Sequence, residues 1–185
     1  PGKVFIGSDN RSILFGGIGP RHEVKIDYNY EISYLPVSSK ISKKFLESKD
    51  CYIASESEWS LAMKRKLIFG NNQVEELSDR IRGSYWSKYC DGRPFIEDNW
   101  LMKVSRTWIS ETPSITSIPK GEKSEYVRLV RRLDVEYNDS SAPKLPNSSD
   151  KSKLLLEEFM ISLIIGIIPS FIWANFNASS GYISD

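Results

Sequence analysis

The chain has 185 residues, 40% of them hydrophobic, and a formal charge of +1, which leaves room for one ordinary domain and an appendage. Twenty-five Lys and Arg against 24 Asp and Glu make no polybasic field, so nucleic acid is not an expected partner. Cys51 and Cys90 are the only thiols and His22 the only histidine, too few for a disulfide framework or a four-ligand zinc site.

The opening "PGKVFIGSD" lacks the charged, apolar, then small-residue order of a signal peptide, and none is expected. "KVFIGS" reads as a short strand closed by Gly7. In the stretch that follows, Gly16, Gly17, Gly19 and Pro20 punctuate a loop rather than a phosphate cradle, because no helix comes after them. "HEVKIDYNYEISYLPVS" alternates Val24, Ile26, Tyr28, Tyr30 and Ile32 on one side and reads as a strand. Next, Ile41, Phe45 and Leu46 stand at helical spacing after Ser38 or Ser39, either of which can cap a short surface helix.

"CYIASESEWSLAMKRK" starts a second helix. Ser55 precedes Glu58 by three residues, the spacing at which each side chain reaches the other's backbone N–H, a capping box. Trp59, Leu61, Ala62 and Met63 supply its buried side, and Lys64, Arg65 and Lys66 complement the dipole at its end. Local physics therefore accounts for Ser55, Glu58 and Trp59 as structural residues, with the cap worth about 1 kcal/mol.

Residues 70 to 125 read as irregular, being rich in Gly, Asn, Ser, Asp and Pro, and as aromatic loops that need a framework. "YVRLVRRLDVEY" reads as a closing strand. Residues 138–153, polar and with two prolines, read as a linker between a domain over 1–137 and a segment over 154–185. In that last segment 26 residues between Glu158 and Asp185 carry no charge, and "FMISLIIGIIPSFIWANF" is apolar enough to cross a bilayer as a helix. Gly166 and Pro169 are tolerable there, and Trp173 suits an interface. The run's Pro and small residues suit packing against another membrane protein. Lys144, Lys151 and Lys153 precede it and only Asp185 follows, which places the globular part on the cytoplasmic side.

Five separated pieces, in order, resemble the formylglycine-generating enzyme and sulfatase-modifying-factor domain family, a variant of the C-type lectin fold. "FIGSD" resembles its F-x-M-G-S strand, "GPRHEVKIDYNYEISYLPVS" its P-x-H-x-V segment, and "ASESEWSLA" its L-P-T-E-A-E-W-E-x-A signature. "NQVEELSDRIRGSYW" resembles a worn G-N-V-W-E-W with R-G-G-S-W, and "EYVRLVRR" the closing G-F-R-L-V-R strand. The match covers residues 3 to about 132. It implies an α+β, loop-rich, C-type-lectin-like domain with short strands and two short helices, to which the C-terminal membrane helix is added.

The departures imply lost catalysis. Family members activate oxygen at copper held by two cysteine thiolates shortly after R-G-G-S, soft ligands suited to Cu(I). Here "RGSYWSKYCDGR" supplies Cys90 alone, the only weak metal candidate, and the stretch that supports calcium is contracted to "FGNNQVEELSD". No cofactor and no catalytic residue is expected, and His22 reads as structural, in the strand where the family also has a histidine. The resulting expectation is a non-catalytic, membrane-anchored accessory subunit whose partners are integral membrane proteins and lipid. Its expected contacts are Tyr85, Trp86, Tyr89, Trp100 and Trp108 in the loops, and Phe159, Ile164, Gly166, Pro169 and Trp173 on the helix. The alternative is a ligand-binding domain that presents the same aromatic loops, since aromatics among polar residues make binding surfaces. A copper-dependent oxidase using Cys90 comes last.

Overall fold

A computed structural model describes residues 1–9, 17–147 and 151–177. The chain divides into two compact units, Pro1–Asn147 and Ser148–Asp185.

The first unit is mixed α+β. Strands β1 (Gly2–Ile6) and β2 (His22–Ile26) pair antiparallel, and their alternation buries Val4, Ile6, Val24 and Ile26. The long alternating stretch after His22 is not one strand. It turns after Ile26 and continues as β3 (Asn29–Ile32) in a different sheet, then as β4 (Val37–Ser38) in a third. Helix α1 (Lys43–Ser48) is capped by Ser42, one turn later than Ser38 or Ser39, with its hydroxyl accepting from the Phe45 N–H at 3.2 Å. After β5 (Tyr52–Ile53) comes α2 (Glu56–Lys64), opened by the expected capping box.

Residues 70–125 are the main departure from expectation. They hold three eight-residue strands, β6 (Val74–Ile81), β7 (Met102–Ile109) and β8 (Thr112–Pro119), in the largest sheet, with β8 at its edge. The five-stranded order is β4-β9-β6-β7-β8, where β9 (Tyr126–Val127) runs parallel to β6. The expected closing strand is likewise divided. Arg128 separates β9 from β10 (Leu129–Leu133), which pairs with β3 and β5 in the remaining sheet.

The Trp108 N–H donates to the Gln73 carbonyl at the head of β6, so the alternate residues of β7 face β8. Pro113 and Pro119 therefore occupy positions of β8 whose N–H groups would point away from the sheet. Two outward donors are removed, and the open edge is blunted.

The core lies between α2 and these sheets: Trp59, Ala62, Ile68, Leu77, Ile81, Tyr85, Val104 and Trp108 form one cluster. Gly70 lets the chain pass against Trp108, because a Cβ there would meet ring atom Cε2 at 2.4 Å.

Residues 138–147, expected as linker, belong to the first unit. Pro143 and Pro146 accept from the N–H groups of Cys90 (2.7 Å) and Ser87 (2.9 Å), and Leu145 packs on the core. Proline loses its donor and keeps its carbonyl, so a proline-bearing segment can dock as an acceptor.

The described residues of the second unit form a helix. α3 (Lys151–Ile161) passes through a π-helical stretch, Ser162–Ile167, into α4 (Ile168–Asn177). Over Leu155–Asn177, 23 residues, it is long and apolar enough to cross a membrane. The π stretch lies just before Pro169, whose missing N–H interrupts the α-helical ladder. Ser170 and Asn177 return their side-chain donors to the carbonyls of Gly166 (2.7 Å) and Trp173 (2.8 Å) four residues back.

Candidate functional site

Two places in the first unit carry chemistry-bearing side chains: the buried charges around the start of α2, and the groove beside Cys90.

Ser55 Oγ accepts from the Glu58 N–H at 3.2 Å and donates to the Gly92 carbonyl at 2.7 Å, while the Ser55 N–H donates to Glu58 Oε2 at 2.8 Å. The Glu58 carboxylate also receives the Tyr28 hydroxyl at 2.8 Å and two Arg132 donors at 2.7 and 2.9 Å. Burial alone would lower the Arg132 pKa, but the Glu58 contact raises it. Tyr28 and Tyr30 are held protonated by burial and by the Glu58 charge. Glu56 takes two Arg106 donors and the Ser60 hydroxyl; its burial still raises the carboxyl pKa against the pull of Arg106.

Glu75 is more densely bonded. It accepts from the indole N–H of Trp59 (2.9 Å) and of Trp108 (2.6 Å) and from two Arg128 donors at 2.7 and 2.9 Å. Arg128, fully buried, spends its remaining donors on the carbonyls of Ser33, Tyr34 and Phe69. The residue that divides β9 from β10 thus ties all three neighbouring segments to one carboxylate. Asp79 closes the set, accepting from the N–H groups of Glu56 and Phe95 and from Lys88 Nζ at 3.1 Å. These carboxylates have their oxygens occupied by fixed donors, and none is left poised to take a substrate proton.

Cys90 is buried and lines a groove of about 720 Å³ with Tyr28, Asp91, Tyr137, Asn138 and Pro143. Burial pushes its thiol up, against the pull of Lys88, the opposite of an activated thiolate. Cys51 lines a different groove, with Phe45 and Leu129. The two-thiolate copper site implied by the family resemblance therefore does not fit these residues. Among the described residues no group of three or more His, Cys, Asp and Glu is arranged to hold a metal ion.

The aromatic residues expected at a partner surface separate into classes. Tyr85 and Trp108 are corrected to core residues, 0% and 2% exposed. Trp86, Tyr89 and Trp100 are half-buried. Tyr89 stacks between Arg93 and Lys144 at 4.2 and 4.8 Å, and Lys120 lies 4.7 Å from the Trp100 ring. Tyr89 and Trp100 are thus each partly covered by a cation. His22 sits in β2 with Nδ1 bonded to the Pro20 carbonyl at 2.8 Å and its ring edge-on to Tyr85, and burial lowers its pKa. Ser55, Glu58 and Trp59 stand where the capping box places them. On the helix, Phe159, Ile164, Gly166, Pro169 and Trp173 lie within the apolar span.

Sequence reasoning did not find Glu75, Asp79, Lys88, Arg106, Arg128 and Arg132. The available signal was the number of charges interleaved with apolar residues in "VEELSDRI" and "YVRLVRRL", only the second of which read as a strand. No family model, curated protein or solved structure matches the chain.

Proposed function

We propose that this chain is a non-catalytic, membrane-anchored accessory subunit built on a degenerate formylglycine-generating-enzyme-like domain, and that its partner is an integral membrane protein. The observation that carries the reading is the helix Leu155–Asn177, apolar around its circumference and carrying acids only at Glu157 and Glu158. Its polar side chains Ser170 and Asn177 bond to its own carbonyls, as hydrocarbon requires. Ser162, Gly166, Ser170 and Ala174 recur every four residues, a small-residue stripe of the kind that lets a second membrane helix approach closely.

Two further observations support the non-catalytic part. Buried carboxylates near α2 are saturated with structural donors, and Cys90 is a buried thiol with a raised pKa. The five-piece resemblance supports the fold assignment, and the capping box and buried Trp59 agree with an architectural role for that signature.

Purification of the tagged chain from its native membrane in mild detergent tests the partner. Integral membrane proteins should co-purify stoichiometrically and be lost on deletion of residues 154–185. Recovery of the chain alone would refute the accessory-subunit reading.

A further inference from the structure

The near-zero net charge conceals a segregation. Lys40, Lys43, Lys44 and Lys49, on α1 and its flanks, are exposed, as are Lys64, Arg65 and Lys66 at the end of α2. Among the described residues none of these seven pairs with a carboxylate, whereas eleven other Lys and Arg residues do. Lys64 and Arg65 instead donate to the carbonyls of Lys3 and Pro1. Residues 33–49 and 64–67 together carry those seven cations and one carboxylate, Glu47. Of the acids that flank these segments, Glu31 pairs with Arg131, Asp50 accepts from the Tyr52 hydroxyl, and exposed Glu125 stands beside Ser39, whose N–H donates to its carbonyl.

Exposed apolar side chains stand among these cations. Tyr34 is 61% exposed, Leu35 52%, Phe45 48% and Leu67 52%. Their backbone segments adjoin. The Phe69 N–H donates to the Tyr34 carbonyl at 2.9 Å, which brings residues 67–69 beside residues 33–35. Phe45 and Lys49 of α1 line one groove with Ile32 and Ser33. The short helix buries no residue of its own, so its lysines and Phe45 remain on the surface.

We propose that this face, α1 with its approach and the end of α2, lies against an anionic lipid surface. Two properties argue for that occupant. Uncompensated cations near a bilayer are attracted by anionic headgroups, and interspersed Tyr, Leu and Phe can enter the interfacial layer. The proposal rests on the membrane-anchored reading, because a chain already tethered to a bilayer meets its surface at high local concentration. It also favours the leaflet richer in anionic lipid, the cytoplasmic one.

The test is hydrogen exchange on the full chain in nanodiscs of phosphatidylcholine, with and without phosphatidylserine. Amides of 40–49 and 64–67 should exchange at least about fivefold more slowly in the anionic discs, the effect of one cation at the surface contributing about 1 kcal/mol. High salt, at which the Debye length falls to about 3 Å, should abolish the difference. So should Lys43→Glu with Lys44→Glu and Lys66→Glu, three exposed substitutions. Equal exchange in both discs, or protection confined to another face, overturns the proposal while leaving the anchor intact. A chain that does not enter discs at all overturns the anchor reading and this face with it.

Discussion

Strand β6 and the helix Leu155–Asn177 treat charge in opposite ways. Four of the eight residues of β6 are charged, and Glu75, Glu76 and Asp79 are buried there because Arg128, Lys103 and Lys88 are fixed within 3.1 Å. The helix carries Glu157 and Glu158 near its start and no charge after them. A charge can be buried where partners are built around it, and an environment without partners excludes it. Polarity alone therefore does not say which segment is inside.

The sharpest way to break this comparison is to remove one partner. Glu75→Ala leaves the Arg128 guanidinium and two indole N–H groups buried without an acceptor, and should lower stability by about 3–5 kcal/mol. Denaturant titration of the full chain in detergent reads it. Combining Glu75→Leu with Arg128→Met removes both charges and should cost less than the single change. On the helix the converse holds: Ile165→Arg introduces a charge without a partner and should oppose insertion by about 2.5–3.5 kcal/mol, read as the inserted fraction in a translocation assay.

Smaller effects sharpen the picture. Ser55→Ala loses both the cap and the bond to the Gly92 carbonyl, and should cost about 1–2 kcal/mol in the same titration. His22 has a folded pKa below its unfolded value, so its contribution is present above about pH 6.5 and is lost as pH falls through the folded pKa. Wild-type stability should therefore drop on acidification from pH 7, and part of that drop should vanish in His22→Gln. Tyr85→Phe should change stability least, within about 1 kcal/mol and towards stabilisation, because the buried Tyr85 hydroxyl has no hydrogen-bond partner among the described residues.

What the sequence reveals follows the range of the interactions. The capping box is readable because Ser55 and Glu58 are three residues apart, and the apolar helix because it depends on composition alone. The first cap is displaced because "SSKISKK" offers several serines, and Ser42 is the one followed by a continuous turn. Strands β6 and β7 are obscured because their buried charges find partners far along the chain, Glu75 at Arg128 and Glu76 at Lys103. Nothing local distinguishes Tyr85 and Trp108, in the core, from half-buried Trp86 and Tyr89. The arm at 138–147 looks like a linker by composition, and its docking depends on proline carbonyls that composition does not register. The basic face is likewise invisible in a net charge of +1, since each buried carboxylate has a cation of its own and the face is offset by exposed acids elsewhere, among them Glu111, Glu122 and Glu136.

Alkaline extraction of membranes containing the full chain tests anchoring most directly. The account predicts that the chain stays in the membrane pellet and that Ile165→Arg or deletion of residues 154–185 releases it. Release of the unaltered chain into the soluble fraction would contradict it.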